Sequence, residues 1–159
     1  MKYLLILIFI TFVAIIVSAF IKKKEKKLPF AKKKYFFTEA EKKFYLILKQ
    51  VADKNNWVVF SKVRLRDVLY AYGKNKFFDN NRIKQKHVDF LLYDNSGFSP
   101  VVAIELDDSS HNLEKRIERD NFVDKVFASV DLPLLRVRAA ANYDINVLEQ
   151  EILESINKK

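Results

Sequence analysis

Two short apolar runs, Val88–Tyr93 and Val101–Asp107, flank the turn-rich stretch Asp94-Asn-Ser-Gly-Phe-Ser-Pro100, and together they restrict what the chain can build. Both runs are dense in β-branched, aromatic and aliphatic residues and read as strands, with the segment between them as their turn. An antiparallel pairing centred on Gly97 sets Asp89 opposite Glu105 and His87 opposite Asp107. Side chains alternate along a strand, so these four share one face. Val88, Phe90, Leu92, Val102, Ile104 and Leu106 form the other, wholly apolar one. Three carboxylates packed across two strands repel one another. The arrangement therefore asks for a compensating cation, and a metal site is the first expectation.

Charge is distributed unevenly. The formal total of +9 includes eight lysines between residues 22 and 34, countered there only by Glu25. From Tyr35 onward 20 basic residues meet 19 acidic ones, so the domain itself is nearly neutral. Inside it, Lys62, Arg64, Arg66, Lys74, Lys76, Arg82, Lys84 and Lys86 face only Asp67 and Asp79, a local +6. That segment is a candidate for contact with nucleic-acid phosphates; a solvated surface is the plainer reading. With no cysteine, disulfides, thiolate zinc sites and cysteine nucleophiles are excluded.

Residues 1–21 contain an uncharged run from Tyr3 to Ile21, about 28 Å as a helix and close to the roughly 30 Å of a bilayer core. Lys22-Lys-Lys-Glu-Lys-Lys27 follows at once. Basic flanks stay in the cytoplasm. The expectation is a single-pass inner-membrane anchor with the domain facing the cytoplasm, and a basic juxtamembrane linker, 22–34, held by anionic inner-leaflet lipid. A cleaved export signal is the alternative, since Val17-Ser18-Ala19 offers small residues at a cleavage position. The positive cluster lies on the wrong side of the apolar run for export.

The domain, 35–159, reads as alternating elements. Thr38-Glu-Ala-Glu41 matches a capping box, and helical spacing of Ala40, Phe44, Tyr45, Ile47, Leu48 and Val51 predicts a helix over Glu39–Asp53. Trp57–Val63 reads as a strand, Arg66–Ala71 as a short helix, and Gly73–Lys84 as a polar basic loop. After the hairpin come a loop over Asp108–Asn112, a helix over Leu113–Val130, a strand over Leu134–Arg138 and a closing helix over Ile145–Ile156. The order predicts an α/β fold, a mixed central sheet flanked by helices, preceded by the transmembrane helix.

That order and these carboxylates resemble the PD-(D/E)XK, or restriction-endonuclease-like, nuclease superfamily. More narrowly, FTEAEKKFY, VDFLL, VAIELDDSSH, RDNFVDKVF and LPLLRV resemble a bacterial family, domain of unknown function 2726, over about Phe36–Arg138. The style of the IELDxxxH block is similar to the very-short-patch-repair-like endonucleases. The resemblance implies metal ligation by Asp89 and Glu105, with Glu41 as the helix glutamate and Glu39 its alternative. One departure stands out: Asp107 occupies the position of the expected lysine. Lys86, Arg119 or Lys125 would then supply the cation. Asp108 also replaces a glycine common in the relatives.

Phosphodiester hydrolysis needs charge neutralised on non-bridging oxygens and a more acidic water, both of which Mg²⁺ (or Mn²⁺) on hard carboxylate oxygens provides. Asp89, Glu105 and Asp107 suit such a site, Asp107 being equally suited to cap a loop. Imidazoles titrate near neutrality, so His111 is a candidate to move a proton, and Asp120 is a candidate to orient His111 or Arg119. Each residue has a structural alternative: sheet-end ion pair, helix cap, surface pair. The leading expectation is a membrane-anchored, metal-dependent nuclease-like domain acting on DNA or RNA. The alternatives are a catalytically inactive nuclease-fold module binding nucleic acid or protein, and a structural protein whose carboxylates only stabilise the hairpin.

Overall fold

The computed structural model describes residues 1–21, 28–107 and 122–158, with side chains for all of these except 19–21. The chain divides into two units, Met1–Lys34 and Tyr35–Lys159.

In the first unit, helix α1 spans Lys2–Ile21. Its described side chains, Lys2 to Ser18, are all exposed. Thr11 and Ser18 return their hydroxyls to the carbonyls of Ile8 and Ile15. The expected membrane anchor is corrected here: among the described residues no helix is long and apolar enough to cross a membrane. The expected inner-membrane location and cytoplasm-facing topology fall with it. Lys22–Lys27, the first part of the basic linker expected to meet lipid, lies outside the described residues.

The second unit is a four-stranded mixed sheet with helices on both faces. Its elements are α2 (Glu39–Lys54), β1 (Trp57–Arg64), α3 (Leu65–Val68), α4 (Lys76–Ile83), β2 (His87–Asp94), β3 (Pro100–Asp107), helical residues 122–128 (α5), β4 (Leu134–Arg138) and α6 (Ile145–Asn157). The strands stand in chain order; β1–β2 and β2–β3 are antiparallel and β3–β4 parallel.

Local chemistry explains the boundaries. Thr38 caps α2 through Glu41 N–H at 3.2 Å while Glu41 Oε2 accepts from Thr38 N at 2.7 Å, so two otherwise orphaned donors are satisfied reciprocally. Asp144 caps α6 by accepting from Asn146 N and Val147 N. The hairpin turn closes through Asp94, whose carboxylate accepts Gly97 N at 2.6 Å and whose carbonyl accepts Phe98 N at 2.8 Å. Gly73–Lys84, expected as a loop, contains α4. The predicted Arg66–Ala71 helix is instead the short turn α3, ending at Val68. Ile83 is 4% exposed, and its burial beneath the sheet supplies a helical anchor that a polar, basic sequence conceals.

Two cores sandwich the sheet. Phe44, Leu48, Val51 and Ala52 of α2 pack with Phe90, Leu92, Val102 and Ile104 of the sheet and Leu148 and Ile152 of α6. On the other face Leu65, Ile83, Val123 and Phe127 cover Leu91 and Ala103. The expected hairpin register holds at Phe90↔Ile104, Leu91↔Ala103 and Leu92↔Val102, then shifts at Tyr93↔Pro100 through a bulge. Val88 departs from the expected apolar face and joins Leu65 and Ile83 in the second core. The alternation breaks at the step between the pairs Ser61↔Phe90 and Val63↔Val88, where Lys62 takes φ 54°.

Candidate functional site

Where β2 and β3 diverge, the carboxylates find separate partners. Asp89 Oδ2 accepts the backbone N–H of Leu106 at 2.9 Å, taking the place of a strand-to-strand bond. This holds Asp89 against the β3 backbone between Glu105 and Asp107. Glu105 meets a cation from the parallel neighbour: β3 and β4 pair Glu105 with Arg136, and Arg136 Nε lies 3.3 Å from Glu105 Oε2. The same guanidinium reaches Asp124 Oδ1 on α5 at 2.7 Å through Nη1. One planar cation thus bridges two carboxylates from two elements, using separate nitrogens of the guanidinium fork for each.

A cavity of about 310 Å³ opens beside Glu105, walled by Asn81 and Arg82 of α4, Gln85, Lys86, His87 and Val123. Arg82 and Lys86 give it positive charge, and Glu105 places one carboxylate in it. Arg82 also lies face-on to Phe122, its guanidinium carbon 3.6 Å from the ring centroid, a cation–π contact that fixes the α4 wall against α5.

Of the expected site residues, Glu105 and Lys86 therefore share one cavity, which His87 also lines, and Asp89 sits beside the Glu105 backbone. Asp107 ends β3 opposite Arg138, and its carbonyl accepts Ala139 N at 2.9 Å. Lys125 is exposed on α5. His111, Arg119 and Asp120 lie outside the described residues, as do Asp108 and the start of the helix expected from Leu113. Glu41 is engaged elsewhere: besides its capping role it accepts Lys62 Nζ at 2.5 Å. Burial pushes the Glu41 carboxyl up, but the hydrogen bonds from Lys62 and Thr38 outweigh it and hold the group below the ordinary glutamate range. Glu39, its alternative, is exposed in the first turn of α2. Among the described residues no group of three or more His, Asp or Glu stands in a metal-holding arrangement.

Arg136 was not among the expected site residues, and Arg82 was expected only as part of the basic segment Lys62 to Lys86. A signal for Arg136 existed, a lone charge inside the apolar strand LLRVR, but its meaning depends on β4 lying parallel to β3, which local patterning does not specify.

The fold and site define a mixed α/β domain with a carboxylate–guanidinium cluster beside a basic cavity. The chain belongs to the family described as protein of unknown function (DUF2726), which matches residues 33–156 and so extends beyond the stretch carrying the resemblance in sequence. No curated protein and no solved structure matches it.

Proposed function

We propose that residues 35–159 form a nuclease-like domain that binds the phosphodiester backbone of DNA or RNA in the Glu105 cavity and hydrolyses it with a divalent cation. The observation that carries this reading is the Asp89–Leu106 hydrogen bond, 2.9 Å long, which keeps one carboxylate beside the strand bearing Glu105. Asp89 and Glu105 offer the hard oxygen donors that Mg²⁺ or Mn²⁺ takes, so the donor chemistry fits. Such an ion, when bound, neutralises phosphate charge and acidifies a water. The chain's own part is binding and orientation. Arg82 and Lys86 draw a phosphate into the cavity and stabilise negative charge there. His87 lines the same space and offers a hydrogen bond to a phosphate oxygen or a water. Lys86, which among the described residues is the one expected cation lining the cavity, stands in for the lysine that Asp107 replaces.

A second reading has its own support. Arg136 already compensates Glu105, and a carboxylate satisfied by a guanidinium needs no metal; that favours a non-catalytic nucleic-acid-binding module. The full chain, assayed with Mg²⁺ or Mn²⁺ on single- and double-stranded DNA and RNA, separates the two. Cleavage lost in both Asp89→Ala and Glu105→Ala supports hydrolysis. Cleavage surviving both substitutions sinks it, and binding without cleavage selects the module.

A further inference from the structure

Four large aromatic side chains stand in solvent within one stretch entering and starting α4: Tyr70, Tyr72, Phe77 and Phe78, at 73%, 85%, 77% and 66% exposure. A single exposed ring is ordinary, but a group of them on one segment marks a contact surface. The backbone that carries the two tyrosines is pinned locally. Asn80 clamps Ala71 from both sides, its Oδ1 accepting Ala71 N at 2.8 Å and its Nδ2 donating to Ala71 O at 3.3 Å, so the backbone between the two tyrosines is fixed. Beside them lies an apolar-floored cavity of about 260 Å³, lined by Tyr70, Tyr72, Ile83, Phe122 and Val126.

Cations interleave with the rings. Lys74, Lys76, Arg82, Lys84 and Lys86 occupy the same stretch, and its one carboxylate, Asp79, is 3.7 Å from Arg82. Docked by this same face, a second copy of the chain would set like charge against like, whereas a polyanion complements it. Rings alternating with cations suit a ligand whose own flat groups alternate with phosphates. Arg82 lines the Glu105 cavity and Phe122 lines the tyrosine cavity, and their stacking joins the two.

We propose that this surface binds single-stranded nucleic acid, with bases stacked on Tyr70 and Tyr72 and the backbone drawn by Lys74, Lys76 and Arg82 toward the Glu105 cavity. Single strands are specified because stacking needs base faces, which a duplex hides. The inference rests on the phosphodiester reading for its class of ligand, and not on hydrolysis.

The test is fluorescence anisotropy of the full chain, in EDTA, with labelled oligothymidylate, oligouridylate and a duplex of equal length at several salt concentrations. Single strands bind more tightly than the duplex. The double substitution Tyr70→Ala and Tyr72→Ala weakens single-strand binding by roughly tenfold or more, while the paired Tyr→Phe changes preserve it. Lys74→Gln with Lys76→Gln flattens the salt dependence by about the release of two counterions. The inference is overturned by equal affinity for duplex and single strand, by indifference to the alanine changes, or by absence of binding. It is likewise overturned if the four rings instead mediate self-association in sedimentation. Binding that needs the tyrosines but never leads to cleavage removes the hydrolytic reading and leaves this one standing. Unaltered cleavage of single strands by the tyrosine-to-alanine variant does the reverse.

Discussion

Arg136 and Glu105 are register partners on parallel strands, with Nε and Oε2 3.3 Å apart. The charge crowding of the hairpin is thus answered from a strand about thirty residues further along the chain. Both side chains keep about a third of their surface in water, 34% and 27%, which caps the pair's contribution to stability at about 1 kcal/mol. Arg136→Gln should cost about that much in urea unfolding. It should also tighten Mn²⁺ binding a few-fold in calorimetry, because Glu105 loses its competing cation. Unchanged or weaker Mn²⁺ binding would argue that Glu105 takes no metal.

Asp89 separates structure from chemistry. Asp89→Asn keeps an oxygen to accept Leu106 N–H, whereas Asp89→Ala orphans that donor at a cost of about 1–3 kcal/mol. Thermal unfolding should rank wild type and Asn close together, with Ala well below. Cleavage should be lost in both. An Asn variant that cleaves at the wild-type rate would remove Asp89 from the reaction.

The hairpin, its turn and the capped helix α2 were legible because each is specified locally: alternation at period two, a cluster of turn formers, and a Thr–Glu pair three residues apart. The closing helix and β4 were legible for the same reason. What escaped depends on distant contacts. α4 is polar along most of its length and takes its helical form by burying Ile83 against the other elements. Val88 changes face at the step where the facing strand carries Lys62 at positive φ, which no hydropathy pattern registers. Arg136 acquires its role only once β4 is placed beside β3. The uncharged N-terminal run was read by composition alone, and the expected anchor was not met among the described residues.

Glu41 gives the protein an acid-sensitive joint between α2 and β1. Its folded carboxyl titrates below the ordinary value, so its contribution is complete above the unfolded glutamate pKa of about 4.3 and is lost as pH falls through the folded value. The stability advantage of wild type over Glu41→Gln should be level above about pH 5 and shrink below about pH 4. Equilibrium denaturation across that range checks it; an advantage that grows on acidification would show the sign to be wrong.

Phe90 sits where the aromatic contacts of the first core meet, with ring centroids 5.4 Å from Phe44, 5.9 Å from Phe37 and 6.3 Å from Tyr45. It is fully buried. Phe90→Ala should destabilise by about 3–5 kcal/mol, through lost burial and the cavity left behind. Phe90→Leu should cost less than half as much. Equal losses for the two would mean that the core collapses around either change.

The left-handed backbone at Lys62 has a consequence for how copies of this protein meet. β1 is an outer strand, so its far side presents backbone donors and acceptors that another chain's strand could zip onto. Near the end of that strand Lys62 takes φ 54°, outside the extended region, and its ammonium is carried by Glu41. A docking strand would meet a non-extended residue and a charge at that margin, both of which disfavour continuous pairing. An edge interrupted by a left-handed, charge-bearing residue is a poorer template for edge-to-edge pairing than an uninterrupted extended one.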